Sequence, residues 1–98
     1  MKKKTYDEAI HEIAAEVANL IVRKQKDYGC RNILNSPFGV ERGLLTRIYD
    51  KVARMANLLK DGKIPKNEPI EDTWMDIAGY SLIALMVRRG EFELPLKE

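Results

Sequence analysis

The stretch from Glu71 to Arg89 constrains this chain more than any other, because its apolar residues leave so little polar face. At about 100° per residue, Trp74, Ile77, Ala78, Leu82, Leu85 and Met86 wrap round most of a helical circumference. A helix that is apolar on nearly every side has to be covered on nearly every side. It is therefore expected at the centre of the fold. The rest of a 98-residue chain is short for that task, and a second subunit is the simplest way to finish the cover.

Two further helical segments supply the other walls. The first runs from about Tyr6 to Asp27, with Ile10, Ile13, Val17, Leu20 and Ile21 at three- and four-residue steps. Gly29 and the turn-forming run Cys30 to Pro37 break it, since Ser36 before Pro37 is pushed away from helical backbone. The second starts near Val40 and reaches about Lys60, with Leu44, Ile48, Val52, Met55 and Leu59 as its stripe. Asp61-Gly62 ends it, and Pro65 and Pro69 mark a turn or extended link. Glu71 and Asp72 suit the positive N-terminal end of the third helix, and Arg88 and Arg89 suit its other end before Gly90 stops it. Strand alternation, repeats and low-complexity tracts are absent. The expectation is one all-α domain over residues 1–98, three main helices in a small bundle completed by oligomerisation. Its core spans about 6–89 and a short tail follows, 90–98.

Composition removes several function classes. Cys30 and His11 are each the sole residue of their type, which excludes an internal disulfide and a Cys/His zinc cluster. The basic start Lys2-Lys3-Lys4 is followed at once by Tyr6-Asp7-Glu8, not by the apolar run of a signal peptide. No run approaches bilayer length, so the expected setting is the cytoplasm with no membrane partner. Seventeen Lys plus Arg against 15 Asp plus Glu leave a net +2, and acids interrupt every basic patch. Nucleic-acid binding ranks last on that ground.

Charge placement is more informative than charge balance. Arg47, Asp50, Lys51, Arg54 and Asn57 share one sector of the second helix, and that sector borders its apolar stripe. Asp72 and Asp76 sit one turn apart on the third helix, with Gly79 and Tyr80 continuing the line. The first helix offers Glu12 and Glu16 one turn apart, then Lys24 and Lys26 near its end beside Tyr28. Carboxylates at i and i+4 can share a hard cation such as Mg²⁺. Arginines bind phosphate oxygens bidentately. Together they can stabilise charge developing on a phosphoryl group attacked by water. The same patterns have plainer readings: Glu8, Glu12 and Glu16 as a solvated face, Asp50 and Arg54 as a helix ion pair, Asp72 as an N-terminal acid. Asp76 is harder to dismiss, because a carboxylate deep in so apolar a helix needs a metal, a cation or a hydrogen-bonding partner. Tyr28 and Tyr80 adjoin the polar motifs and can stack on a base or pack.

Four ordered blocks carry a family resemblance: Lys26-Asp27-Tyr28-Gly29; Asn32-Ile33; Arg47-x-x-Asp50-Lys51-x-x-Arg54-x-x-Asn57-Leu58; and Glu71-Asp72-Thr73-x-x-Asp76-Ile77-Ala78-x-Tyr80. Together they resemble nucleotide modification associated domain 1, a small domain common in bacteriophages and prophages. The layout is also similar, more distantly, to all-α NTP pyrophosphatases (MazG-like hydrolases), which use helix-borne acids to hold magnesium and cleave nucleoside triphosphates. Their usual Glu-Glu-x-x-Glu and Glu-x-x-Asp spacings are replaced here by Glu12-x-x-x-Glu16 and Asp72-x-x-x-Asp76.

These resemblances imply a nucleotide or nucleotide-derived ligand. Lys26, Tyr28, Arg47, Lys51, Arg54, Asn57 and Tyr80 are the candidates for phosphate and base. Glu12, Glu16, Asp50, Asp72 and Asp76 are the candidates for Mg²⁺ in an enzymatic version. Two functions compete: a magnesium-dependent pyrophosphohydrolase acting on free or modified nucleotides, and a non-catalytic phage protein that sequesters a nucleotide-derived defence signal. The second needs cationic and aromatic contacts but no metal cage.

Overall fold

The computed structural model describes residues 2–60 and 70–98. Among them are four helices and no strand: α1 (Tyr6–Tyr28), α2 (Arg31–Leu34), α3 (Val40–Lys60) and α4 (Ile70–Arg88). The fold is all-α, and its three long helices coincide with the three periodic segments. The turn expected at Asp61-Gly62, with Pro65 and Pro69, lies outside the described residues.

Local chemistry sets the ends of α1. The Thr5 hydroxyl accepts a hydrogen bond from the Glu8 amide at 3.2 Å, and Asp7 and Glu8 occupy the first turn. At the other end Gly29 takes a left-handed φ of 69°, and its amide donates to the Gln25 carbonyl at 2.9 Å. The segment after it is more ordered than its turn-forming composition suggests. Arg31–Leu34 makes a single helical turn, too short for periodicity to register, and Ile33 is drawn into the core. The Ser36 hydroxyl donates to the Ile33 carbonyl at 2.7 Å and closes that turn.

The core is built from Ile33, Leu44, Ile83 and Phe92, with Leu44 only 1 % exposed. Phe92 belongs to the stretch expected as a tail. Gly90, at φ 69°, reverses the chain: its amide donates to the Val87 carbonyl and that of Glu91 to Met86. Phe92 is thereby folded back under α4.

α4 is the central helix, packed chiefly on α3 and less on α1, while α2 leans on α3. α1 and α3 each pack chiefly on α4. Two glycines permit the close approaches. A Cβ on Gly43 would fall on the Ser36 side chain, whereas one on Gly79 would just touch Ile21 of α1. Arg88 donates Nε and Nη2 to the Glu41 carboxylate (2.6 and 3.1 Å), joining the end of α4 to the start of α3. That exposed pair lowers the Glu41 carboxyl below its usual range, chiefly through the hydrogen bond from Arg88.

The apolar stripes are only partly covered. Val17, Leu44 and Met55 are buried, but Ile10, Ile13, Val52 and Leu59 remain exposed, as do Trp74, Leu82 and Leu85. No helix among the described residues is long and apolar enough to cross a membrane.

Candidate functional site

A cleft of about 250 Å³ opens where the C-terminal half of α1, the α2 turn and the start of α3 face the middle of α4. Its floor is apolar, with Leu20, Met75 and Ile83 among the lining side chains. Its polar groups are Lys24, Gln25, Tyr28, Asn32, Arg47, Asp76 and Tyr80. An apolar concavity with a few converging polar groups is the usual form of a small-molecule site, and typical volumes are roughly 300–1,000 Å³. This one is sized for part of a nucleotide, leaving the remainder at the rim.

Asp76 organises the polar side. Its Oδ1 accepts from Lys24 Nζ at 3.1 Å, and Lys51 Nζ stands 3.0 Å from Oδ2. The three residues come from α1, α3 and α4, so one carboxylate ties together side chains of all three long helices. The Asp76 side chain is only 14 % exposed. Its burial is the largest single influence and pushes the carboxyl up. The hydrogen bonds from Lys51 and Lys24, with their charges, together outweigh it and hold the carboxyl below the ordinary Asp range. The carboxylate in this apolar helix thus finds its partner in cations.

Arg47 sits one turn before Lys51 and is half-buried. Its Nη2 donates to the Asn32 carbonyl at 3.1 Å, which fastens the α2 turn against the polar stripe of α3. That bond uses one of five guanidinium N–H donors. Tyr28 lies at the C-terminal end of α1 and is largely exposed, while Tyr80 packs its ring against the core.

Of the expected ligand residues, Tyr28, Arg47 and Tyr80 line the cleft and Lys51 reaches it through Asp76. Lys26, Arg54 and Asn57 do not line it. Asn57 lies roughly 15 Å along α3 from Arg47 at 1.5 Å per residue, beyond the reach of the cleft. Lys24 takes the place given to Lys26. The signal was present in the helical phase: Lys24 falls about 60° from Ile21, whereas Lys26 falls about 140° away, on the outer face.

The acids proposed for a metal do not converge. Glu12 is exposed and paired with Lys4 at 2.7 Å; Glu16, Asp50 and Asp72 are exposed on three different helices. Among the described residues, no group of three or more His, Cys, Asp and Glu side chains is placed to hold a metal ion. Asp76, the one acid among the described residues that line the cleft, faces two ammonium groups. That donor set suits an anion and does not fit Mg²⁺, which requires several oxygen ligands at about 2.0–2.1 Å.

The structure therefore defines a small all-α domain with a cation-rimmed, tyrosine-bearing cleft centred on its middle helix. Residues 24–87 match the family described as nucleotide modification associated domain 1, and the chain belongs to that family. The match begins at Lys24 and ends at Val87, so it contains every residue that lines the cleft except Leu20 and Ile21. Comparison with curated proteins and with solved structures gave no significant match, and nothing in them supports the more distant likeness to all-α NTP pyrophosphatases.

Proposed function

We propose that the cleft binds a phosphorylated nucleotide, or a small molecule derived from one, free in the cytoplasm. The observation that carries the reading is the grouping of Lys24, Arg47 and Lys51 round a single carboxylate, beside Tyr28 and Tyr80. Lys24, Arg47 and Lys51 form a cationic rim that would complement a phosphate group. Arg47 would contact phosphate oxygens bidentately, and the two lysines would contribute point charges. Tyr28, exposed at the rim, would stack on the base, with Leu20 and Met75 as the apolar floor. Asp76 would not touch phosphate. It would hold the two ammonium groups at fixed positions before the ligand arrives, so less ordering is required on binding.

Of the two functions the sequence leaves open, this arrangement favours binding without cleavage. A pyrophosphohydrolase of the magnesium-dependent kind needs an acidic cage, and the one acid here serves as counter-ion to lysines. Sequestration of a nucleotide-derived signal needs only the cationic and aromatic contacts.

The deciding experiment incubates purified protein with a panel of nucleotides and cyclic dinucleotides, with and without Mg²⁺. Binding is read by calorimetry and products by mass spectrometry. The expected result is binding of at least one phosphorylated compound, independent of Mg²⁺ and with the compound recovered intact. Mg²⁺-dependent turnover abolished by Asp76→Asn would replace this reading with the pyrophosphohydrolase. Absence of binding to every member of the panel would end both.

A further inference from the structure

The outward side of α4 carries a feature that the cleft does not use. Trp74, Ala78 and Leu85 fall within about 40° of one another on the helix, with Leu82 next to them. This stripe points away from Ile83, Gly79 and Asp76, and its large members are exposed, Trp74 by 57 % and Leu85 by 52 %. Beside it, Ala18 and Val22 of α1 with Leu82 and Met86 of α4 bound a shallow apolar groove of about 300 Å³.

The surface of the whole chain says how much is left to cover. A folded monomer of 11.3 kDa has an accessible surface of about 5,700 Å² by the usual mass scaling. This chain exposes 8,226 Å², about 2,500 Å² more than that scaling gives. Its radius of gyration, 15.6 Å, also exceeds the roughly 13 Å of a compact domain of this length. Obligate homodimers bury about 2,000–5,000 Å² in total, or up to about 2,500 Å² on each subunit. The exposed α4 stripe is part of that surface, and a second copy would cover it.

We propose that this face is the interface of a two-fold homodimer in which α4 packs antiparallel against α4 of a second copy. Two independent features give the same register. Trp74 lies near one end of the stripe and Leu85 near the other, about 20° apart on the helix. Glu71 and Arg89 sit on one flank of the stripe at opposite ends, one acidic and one basic. An antiparallel pairing centred at the level of Tyr80 sets Trp74 beside Leu85 of the partner subunit. The same pairing brings Glu71 against the partner's Arg89. It also sets the small Ala78 opposite Leu82 of the partner subunit, which lets the helices approach closely. A C2 interface must be self-complementary, and this stripe carries two apolar anchors and both charges on one surface. The cleft lies on the other side of α4, so both copies would keep it open.

Sedimentation equilibrium of the purified chain between about 1 and 50 µM tests this without any nucleotide. The expected species is twice 11.3 kDa. Trp74→Ala and Leu85→Glu alter exposed positions of the isolated chain, so each should leave the helical circular dichroism intact while weakening the dimer by about thirtyfold or more, the loss expected of an interface anchor. The register is tested by charge exchange. Glu71→Arg and Arg89→Glu should each weaken the dimer, and the two together should restore it. A chain that sediments as a monomer throughout overturns the proposal. A dimer unaffected by Trp74→Ala and Leu85→Glu overturns the choice of face, and a double exchange no better than the single ones overturns the antiparallel register.

Discussion

Arg47 and Arg54 stand two turns apart on one face of α3, yet only Arg47 lines the cleft, and this difference can be tested directly. Replacing Arg47 with Leu removes the guanidinium while keeping an apolar side chain over α2. Charge-assisted hydrogen bonds to phosphate contribute about 1.5–3 kcal/mol, so loss of one bidentate contact should weaken nucleotide binding by about 10- to 150-fold. The structural cost is separate and smaller. Arg47 makes one bond to the Asn32 carbonyl, at a half-buried position, and such a bond contributes about 1 kcal/mol net. In a domain of this size that corresponds to a fall in melting temperature of about 4–8 °C. Arg54→Leu should alter binding by less than about threefold, as expected for an exposed charge acting at a distance. Isothermal titration with the best compound from the panel, at one ionic strength, reads the first effect, and thermal unfolding followed by circular dichroism reads the second. Equal losses of binding for the two variants, or a larger loss at Arg54, would refute the placement of the phosphate site.

Three other substitutions probe the frame that positions the cleft. Gly43→Ala puts a methyl onto the Ser36 side chain, and overpacking of this kind should cost about 1–3 kcal/mol, seen as a lower urea midpoint; an unchanged midpoint would show that the α2 turn yields freely. Phe92→Ala should cost about 3–5 kcal/mol because the ring is buried against Ile33, Leu44 and Ile83, and near-neutral behaviour would show that residues 90–98 are a true tail. Asp76 has a lowered carboxyl pKa in the folded chain, so its contribution to stability is complete above the unfolded value near pH 4 and is lost as pH falls through the folded one. The stability difference between the parent and Asp76→Asn should therefore be constant from pH 5 to 7 and shrink below about pH 4, and a difference that grows on acidification would contradict the pairing with Lys24 and Lys51.

The long helices were legible because their signals are redundant. Period, stop residues and terminal charges agree for α1, α3 and α4, and tertiary packing had no conflict to resolve. The single turn of α2 was not legible, since four residues give no period and Cys30, Asn32, Asn35 and Ser36 are ordinary loop residues. Its helical form depends on Ile33 reaching Leu44 and Ile83, contacts made only once α3 and α4 have met. Phe92 was hidden for a similar reason: a lone aromatic after a helix-ending glycine acquires meaning only when the chain reverses. At the site, the pairing of a buried acid with cations was foreseeable for Asp76, but not which cations. Lys24 is 52 residues away in sequence, and periodicity within one helix carries no information about its neighbour. In the same way, acids one turn apart on separate helices carry no information about whether they converge, and among the described residues Glu12, Glu16, Asp50 and Asp72 do not. Glu12 and Glu16 instead lie on the first half of α1, where the residues are exposed.

The position of Asp76 links the site to the fold in a way that neither the spacing of acids nor the apolar stripe implies. α1 and α3 pack chiefly on α4, so few direct contacts between them set the distance between the cleft walls. Besides their packing on α4 and the Arg47 bond to Asn32, the walls are tied by one carboxylate held by an ammonium group from each. Burying the carboxylate is costly on its own, and the two lysines offset that cost while being restrained by it. Neutralising Asp76 would therefore do more than delete an acid. It would remove the carboxylate that Lys24 and Lys51 share and so weaken the link between the walls. An anionic ligand can supply the missing charge to the same cations. The balance between Asp76 and a bound phosphate is thus where stability and recognition meet in this domain.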